Sequence, residues 1–242
     1  MNTNTRLTQT FIGSMLLAAI GSTIYAGLHS HTLHTDYALA ILVLAAATSR
    51  MKVKLPGITG NMSVNLPFLL MAVVNLSSME AIAIACVSTV VQCWPKRNSE
   101  FKPERMLFNV SMMAFATSVA SLMWNAGWLG QSASAKPVML ALATTTFFLG
   151  QTAPVAGIIK LTEGVAMHQI WLSIAQLSFP YFVISAGMTS IVNVVSHHMG
   201  WELALAVFPV MFCIHRSYRR YFEPAVEAPR STPLARAASA GM

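Results

Sequence analysis

Apolar runs long enough to cross a lipid bilayer recur along most of this sequence. Hydrophobic residues make up 55% of the 242 residues and charged residues only 10%, against about 25% charged in ordinary soluble domains. Such a chain cannot cover a water-facing surface. A helix of about 20 apolar residues, in contrast, crosses the hydrocarbon core with its own backbone hydrogen bonds satisfied. The sequence therefore predicts an all-α, polytopic helical transmembrane bundle.

The boundaries of the apolar runs predict about eight spans. In chain order these are 11–28, 37–49, 66–76, 81–94, 106–127, 137–159, 171–195 and 201–214. Spans two and three are short and are alternatively one re-entrant element, which would leave six spans. We expect one integral membrane domain over residues 1–222 and a disordered cytoplasmic tail over residues 223–242, which is rich in Pro, Ala, Ser and Arg.

Basic residues fall on one side of this topology. With eight spans and both termini in the cytoplasm, Lys136 alone of the 15 Lys and Arg residues lies outside. This partition follows the positive-inside rule. Because the rule accounts for the net charge of +7, we expect membrane lipid as a partner and no nucleic acid.

Carboxylates are missing from the interior of the predicted spans. All eight lie in loops, at span ends or in the tail: Asp36, Glu80, Glu100, Glu104, Glu163, Glu202, Glu223 and Glu227. Ion-coupled carriers usually keep an ionisable group at bilayer depth, and the chain has no paired-carboxylate or HExxH pattern. We therefore predict no catalytic residue and no cofactor, and an enzyme is disfavoured.

The polar side chains within the spans are amides and hydroxyls: Asn75, Gln92, Asn109, Ser111, Thr117, Gln151, Thr152, Gln176 and Asn193. Their simplest role is hydrogen bonding between helices. The alternative is a pocket for a neutral or amphipathic ligand, since Pro154, Pro180 and Pro209 interrupt the last three spans and free backbone carbonyls. The pocket candidates are Asn75, Asn109, Gln151, Thr152, Gln176 and Asn193.

Histidines and cysteines are weaker candidates. Two predicted external loops hold five histidines that are possible metal ligands or pH sensors: His29, His31, His34, His197 and His198. Ordinary interfacial histidines are the simpler interpretation. Cys86, Cys93 and Cys213 lie in apolar runs without a CxxC pair, which favours small buried side chains. The spacing of Cys86 and Cys93 is also compatible with a redox role.

Residues 52–65, KVKLPGITGNMSVN, depart furthest from a plain transmembrane helix. Alternating polarity is followed by a turn signal at Pro56 and Gly57. Irregular backbone is tolerated at membrane depth when it is buried in protein or lines a wet cavity, so we expect this segment at the cytoplasmic mouth. It either locks two short helices together or uses Lys52 and Lys54 to contact an anion or a lipid headgroup.

Several stretches resemble the N-terminal membrane region of certain bacterial signalling proteins. The resemblance runs from about Leu44 to Phe222 and is carried by LPGITGNMSVN and HRSYRRY, with PERMLFNVSMMAFA and QTAPVAGIIKLTEG between them. In those proteins the region precedes a cytoplasmic HD-GYP or GGDEF domain. It implies a multi-pass sensory module in a bacterial inner membrane. We expect residues 223–242 to be too few to hold such an output domain.

Three functions remain open from the sequence. The first is a sensory or ligand-binding module that acts through a cytoplasmic or membrane partner, with Arg216, Arg219 and Arg220 meeting anionic lipid or that partner. The second is a small-molecule uptake subunit, by loose analogy with the substrate-binding subunits of energy-coupling-factor transporters. The third is a membrane-embedded enzyme acting on lipid or isoprenoid. The sequence does not decide the ligand or the oligomeric state.

Overall fold

A computed structural model describes residues 3–29, 35–54, 61–95, 101–126, 135–164, 166–199 and 203–227. Within these ranges the chain forms eight helices and one small antiparallel sheet. The elements in order are α1 (Thr3–Leu28), α2 (Thr35–Ser49), β1 (Lys52–Lys54), β2 (Asn61–Ser63), α3 (Leu66–Asn75), α4 (Ser78–Cys93), α5 (Pro103–Asn125), α6 (Lys136–Glu163), α7 (Met167–Met199) and α8 (Leu203–Glu227). The predicted helical bundle is confirmed for these residues, and each predicted span overlaps one helix.

Among the described residues, four helices are long and apolar enough to cross a membrane, within Arg6–Leu28, Pro103–Asn125, Lys136–Glu163 and Met167–Val195. The apolar parts of α2, α3, α4 and α8 have only 10 to 17 residues. A ten-residue helix is about 15 Å long, roughly half the thickness of the hydrocarbon core. The number of complete crossings therefore stays a prediction. Residues 223–227, which the sequence assigned to the tail, belong to α8, and the rest of the tail lies outside the described residues.

The short helix α3 lies inside the bundle. Its residues from Leu66 to Val73 are all buried, and α2, α4, α5 and α7 pack around it. Peripheral helices, in contrast, turn large apolar side chains outward, as at Leu17 and Ile24 of α1 and Ile191 and Val194 of α7. Outward apolar surface of this extent suits a lipid environment. The bundle thus surrounds a short apolar helix and exposes apolar side chains at its rim.

Helices α5 and α6 approach each other closely at Gly150. A Cβ atom built on Gly150 would lie 3.0 Å from the Cβ of Ala116 and 3.1 Å from its Cα. Small residues at a helix interface let two backbones come together in this way. Five residues beyond Ala116 in α5, Ser121 Oγ lies 2.7 Å from Ser78 Oγ of α4. Helix α5 therefore has tightly packed neighbours on two sides.

The strand-like pattern at Lys52 forms a hairpin. Strand β1 pairs with β2 in the register Lys52↔Ser63, Val53↔Met62 and Lys54↔Asn61. The predicted turn at residues 56 and 57 lies outside the described residues. β1 packs against α8, and β2 leads after two residues into α3. The hairpin therefore connects the last helix of the chain with the enclosed helix α3.

Candidate functional site

Two of the predicted pocket residues donate hydrogen bonds to sulfur atoms across helix interfaces. Asn109 Nδ2 of α5 lies 3.3 Å from Cys93 Sγ of α4. Gln151 Nε2 of α6 lies 2.8 Å from Met113 Sδ of α5. Both amides are half-buried. They serve as contacts between helices, which is the simpler of the two roles that the sequence allowed.

A third candidate, Thr152, joins α6 to α7. Its hydroxyl donates to the carbonyl of Phe148 at 2.8 Å and accepts a hydrogen bond from Trp171 Nε1 at 3.1 Å. Thr152 is buried and Trp171 is half-buried. An indole N–H inside a membrane needs an acceptor. This hydrogen bond therefore favours one position of α7 along the axis of α6.

The other three pocket candidates lie apart from these contacts. Asn75 donates to the carbonyl of Met71 in its own helix at 3.1 Å. Gln176 is exposed on α7, and Asn193 is half-buried further along the same helix. The structure thus brings Asn109, Gln151 and Thr152 to neighbouring interfaces, and a ligand pocket formed by all six stays a prediction.

A cluster of buried and half-buried polar side chains, which we call the junction cluster, lies where β2 meets α3. It consists of Ser63, Asn65, Ser88, Gln92 and Tyr181. Ser63 Oγ donates to Asn65 Oδ1 at 2.6 Å and lies 3.4 Å from Gln92 Oε1. Asn65 Nδ2 lies 3.5 Å from Ser88 Oγ in α4. The cluster therefore ties the hairpin to the inner face of α4.

Asn65 occupies the N-cap position of α3 without capping it. Its side chain makes no hydrogen bond to the first turn of the helix, because it is engaged with Ser63 and Ser88. The first turn also contains Pro67, which has no N–H. The N–H of Leu66 instead donates to the hydroxyl of Tyr181 at 3.2 Å, from a residue 115 positions away. The side chain of Tyr181 in α7 thus caps the N-terminus of α3.

Helix α7 contacts the start of α3 at a second point. Thr189 Oγ1 donates to the carbonyl of Ser185 at 2.9 Å and lies 3.4 Å from the carbonyl oxygen of Pro67. Tyr181 is only 2% exposed and Thr189 is fully buried. The sequence did not predict the contacts of Tyr181 and Thr189 with the start of α3. The helix-start signal of Asn65 before Leu-Pro was available, but nothing in the sequence around Tyr181 marks it as a capping group.

A second polar region lies along α5 and α6. We call it the α5–α6 seam, and it consists of Met113, Thr117, Thr144 and Gln151. The hydroxyls of Ser111, Thr117 and Thr144 are buried and have no hydrogen-bond partner. In the described residues, buried hydroxyls elsewhere mostly bond to a carbonyl one turn earlier, as Ser118 does to Ala114 at 2.7 Å. An unpaired buried hydroxyl costs about 1–3 kcal/mol.

The hydroxyls of Thr117 and Thr144 lie on the same helix faces as Met113 and Gln151, respectively. Thr117 follows Met113 by four residues, and Thr144 precedes Gln151 by seven, spacings that return to the same helix face. Ser111 lies on another face of α5. Thr117 therefore shares a face of α5 with Met113, and Thr144 shares a face of α6 with Gln151.

The weaker candidates gain little from the structure. The described residues contain no group of three or more His, Cys, Asp or Glu side chains that could hold a metal ion. His29 Nδ1 lies 2.9 Å from the carbonyl of Tyr25, and the two rings stack. His31 and His34 lie outside the described residues, as do the side chains of His197 and His198. Metal binding by the predicted external histidines stays a prediction.

The cysteines and the basic residues of β1 and α8 are the remaining candidates from the sequence. Cys86 and Cys93 are half-buried, Cys213 is exposed, and all three are free thiols. Lys52 is half-buried in β1, and Arg216 and Arg220 are exposed on α8. Lys54 faces Asn61 in the strand register. The contact of β1 with α8 brings two basic segments of the chain into one neighbourhood.

Comparison with known protein families gives a match along nearly the whole bundle. A sequence model of the family MASE9 matches residues 11–220. The chain belongs to the MASE9 family of membrane-associated sensor domains. The match includes the hairpin, the junction cluster and the α5–α6 seam, and it supports the membrane-sensor part of the resemblance described above. No curated protein and no solved structure matches the chain.

Proposed function

We propose that this MASE9 chain is a membrane sensory module that acts through a protein partner at its cytoplasmic face. The family match over residues 11–220 carries the proposal. The form of α8 supports it, because the helix continues beyond its apolar segment Leu205–Ser217 as far as Glu227. These ten further residues give about 15 Å of helix outside the apolar segment, a natural route to a partner.

The proposed topology has eight spans, with both termini in the cytoplasm of a bacterial inner membrane. The distribution of Lys and Arg supports it. In this arrangement the hairpin and the exposed Arg216 and Arg220 lie towards the cytoplasmic side. We propose that Lys52 and Lys54 contact anionic headgroups there, where each basic residue contributes about 1 kcal/mol of attraction to the surface.

Cysteine labelling tests the topology. Single cysteines are placed at His29, Arg50, Arg105 and Lys136, all exposed, in a background without Cys86, Cys93 and Cys213. A membrane-impermeant maleimide should label positions 29 and 136 from outside, and positions 50 and 105 only after permeabilisation. External labelling at position 50 would show that α2 does not cross, and external labelling at position 105 would contradict the whole orientation.

Crosslinking in cells tests the sensory role. A photo-crosslinking amino acid at Arg220 should capture a cytoplasmic protein, whereas the same group at Lys136 should not. Deleting the gene of the captured protein and deleting this chain should then change the same transcripts, without a larger change in the double deletion. Additive changes would contradict signalling through that partner. Accumulation of a solute by the purified chain in liposomes would favour the uptake alternative instead.

A further inference from the structure

We propose that Tyr181 is a positioning residue that couples α7 to the hairpin, and through the hairpin to α8. The first step is the pairing of the Leu66 N–H with the Tyr181 hydroxyl at 3.2 Å. Leu66 is 3% exposed and Tyr181 is 2% exposed. Water cannot easily replace a partner at such a site, so the start of α3 depends on the hydroxyl.

The second step concerns the place of Tyr181 on α7. It follows Pro180, which lies inside the helix and leaves the carbonyl of Gln176 without its usual donor, so the helix can bend at this point. The next residue, Phe182, packs edge-on against Phe148 of α6 with ring centroids 4.9 Å apart. Tyr181 thus lies between a point of bending and a ring contact that holds α7 to α6.

The third step leads from α3 to α8. Asn65 immediately precedes Leu66, and its Oδ1 accepts a hydrogen bond of 2.6 Å from the hydroxyl of Ser63. Ser63 pairs with Lys52 in the hairpin, and the strand containing Lys52 packs against α8. Two hydrogen bonds, the Asn65–Leu66 peptide link and the strand pairing therefore connect Tyr181 with β1, and β1 packs against α8.

These contacts give α7 a way to act on the hairpin. A hydrogen bond of 3.2 Å is already at the long end of the usual range, so moving the hydroxyl by about half an ångström breaks it. A bend of α7 at Pro180 would then release the start of α3 and loosen the hairpin on α8. The meaning of this coupling for signalling rests on the sensory role proposed above, but the coupling itself is a property of the chain alone.

Hydrogen exchange of the full chain in lipid nanodiscs tests the coupling without a ligand or a partner. The variant Tyr181→Phe removes the hydroxyl and keeps the ring. We expect exchange in residues 64–70 to rise about threefold to tenfold. We also expect faster exchange in β1, and a changed emission from a fluorophore on Cys213 in α8, with Cys86 and Cys93 replaced. Tyr37→Phe, at a half-buried tyrosine of α2, is the matched control.

The outcomes separate coupling from a merely local cap. Unchanged exchange at residues 64–70 would overturn the proposal, and so would a rise there with β1 and Cys213 behaving as in Tyr37→Phe. If Tyr181→Phe does not fold, Thr189→Val removes the second contact of α7 with α3, and we expect a smaller rise in the same segments. No effect of Thr189→Val on β1 would then contradict the coupling. Failure to find a cytoplasmic partner would leave these results intact, so the two proposals can fail separately.

Discussion

The junction cluster and the α5–α6 seam are both polar and largely buried, yet they differ in hydrogen bonding. Each side chain of the junction cluster takes part in a hydrogen bond. In the seam, the hydroxyls of Thr117 and Thr144 have no partner. A satisfied network fixes one arrangement and is costly to disturb, whereas an unpaired hydroxyl is inexpensive to remove. The difference teaches that burial of a polar group in this bundle does not by itself indicate its importance.

The largest effect is expected at Gly150, where helices α5 and α6 approach each other closely. Gly150→Val should lower the free energy of unfolding by about 2–3 kcal/mol, because its side chain would meet the backbone of Ala116. Thermal unfolding of the purified protein in detergent measures this as a lower Tm. Gly187→Val is the control, since nothing lies within 4 Å of a Cβ at that position of α7. Equal losses for the two variants would show that helix packing at Gly150 is not the cause.

A change in the junction cluster comes next. Asn65→Ala leaves the hydroxyls of Ser63 and Ser88 with fewer partners in a buried site, and we expect a loss of about 1–3 kcal/mol. Asn125→Ala provides the comparison, because that amide is exposed and bonds to Ser121 at the end of α5. The same unfolding assay should give at most about 0.5 kcal/mol there. If the two asparagines cost the same, the cluster is not a rigid network.

Removing a seam hydroxyl should leave the stability of the protein unchanged or slightly raise it. Thr117→Val and Thr144→Val replace an unpartnered hydroxyl with a methyl group of the same shape, so we expect stability to be unchanged or raised by up to about 1 kcal/mol. Thr89→Val, in contrast, loses a buried hydrogen bond of 2.7 Å to the carbonyl of Ala85 and should destabilise the protein. A loss at Thr117 as large as that at Thr89 would mean that the hydroxyl has a bound partner, such as water, and the contrast between the two regions would disappear.

The smallest effect is expected at the far end of α3. Asn75→Ala removes an amide that bonds only to the carbonyl of Met71, one turn earlier, and that is half-buried. We expect a loss of about 0.5 kcal/mol, at the low end for a hydrogen bond. A loss as large as that of Asn65→Ala in the unfolding assay would show that both ends of α3 are held equally firmly.

The sequence predicted the parts of this fold that depend on local pattern. Every predicted span overlaps a helix, and the alternation at Lys52 to Lys54 became a strand. Ser77 forms a capping box with Glu80 at the start of α4, a pattern that the spacing Ser-x-x-Glu would have indicated. These features are local because each depends on residues within one or two turns.

Contacts between distant residues were beyond the sequence pattern. The short run at Leu66 indicated a short helix, but its length did not place that helix inside the bundle. Tyr181 lies in an apolar stretch, and its hydroxyl becomes a hydrogen-bond acceptor because α3 begins against α7. Likewise, Asn109 and Gln151 were correctly identified as polar groups within helices, but their sulfur acceptors depend on how the helices pack.

An enclosed helix of ten residues also imposes an order of events during synthesis. α3 has ten residues, about half the length of a full span, and the N–H of Leu66 finds its acceptor only after 115 further residues have been made. Until α7 has been made, the first turn of α3 lacks this acceptor. The start of α3 is therefore completed late in synthesis, although α3 belongs to the first third of the chain.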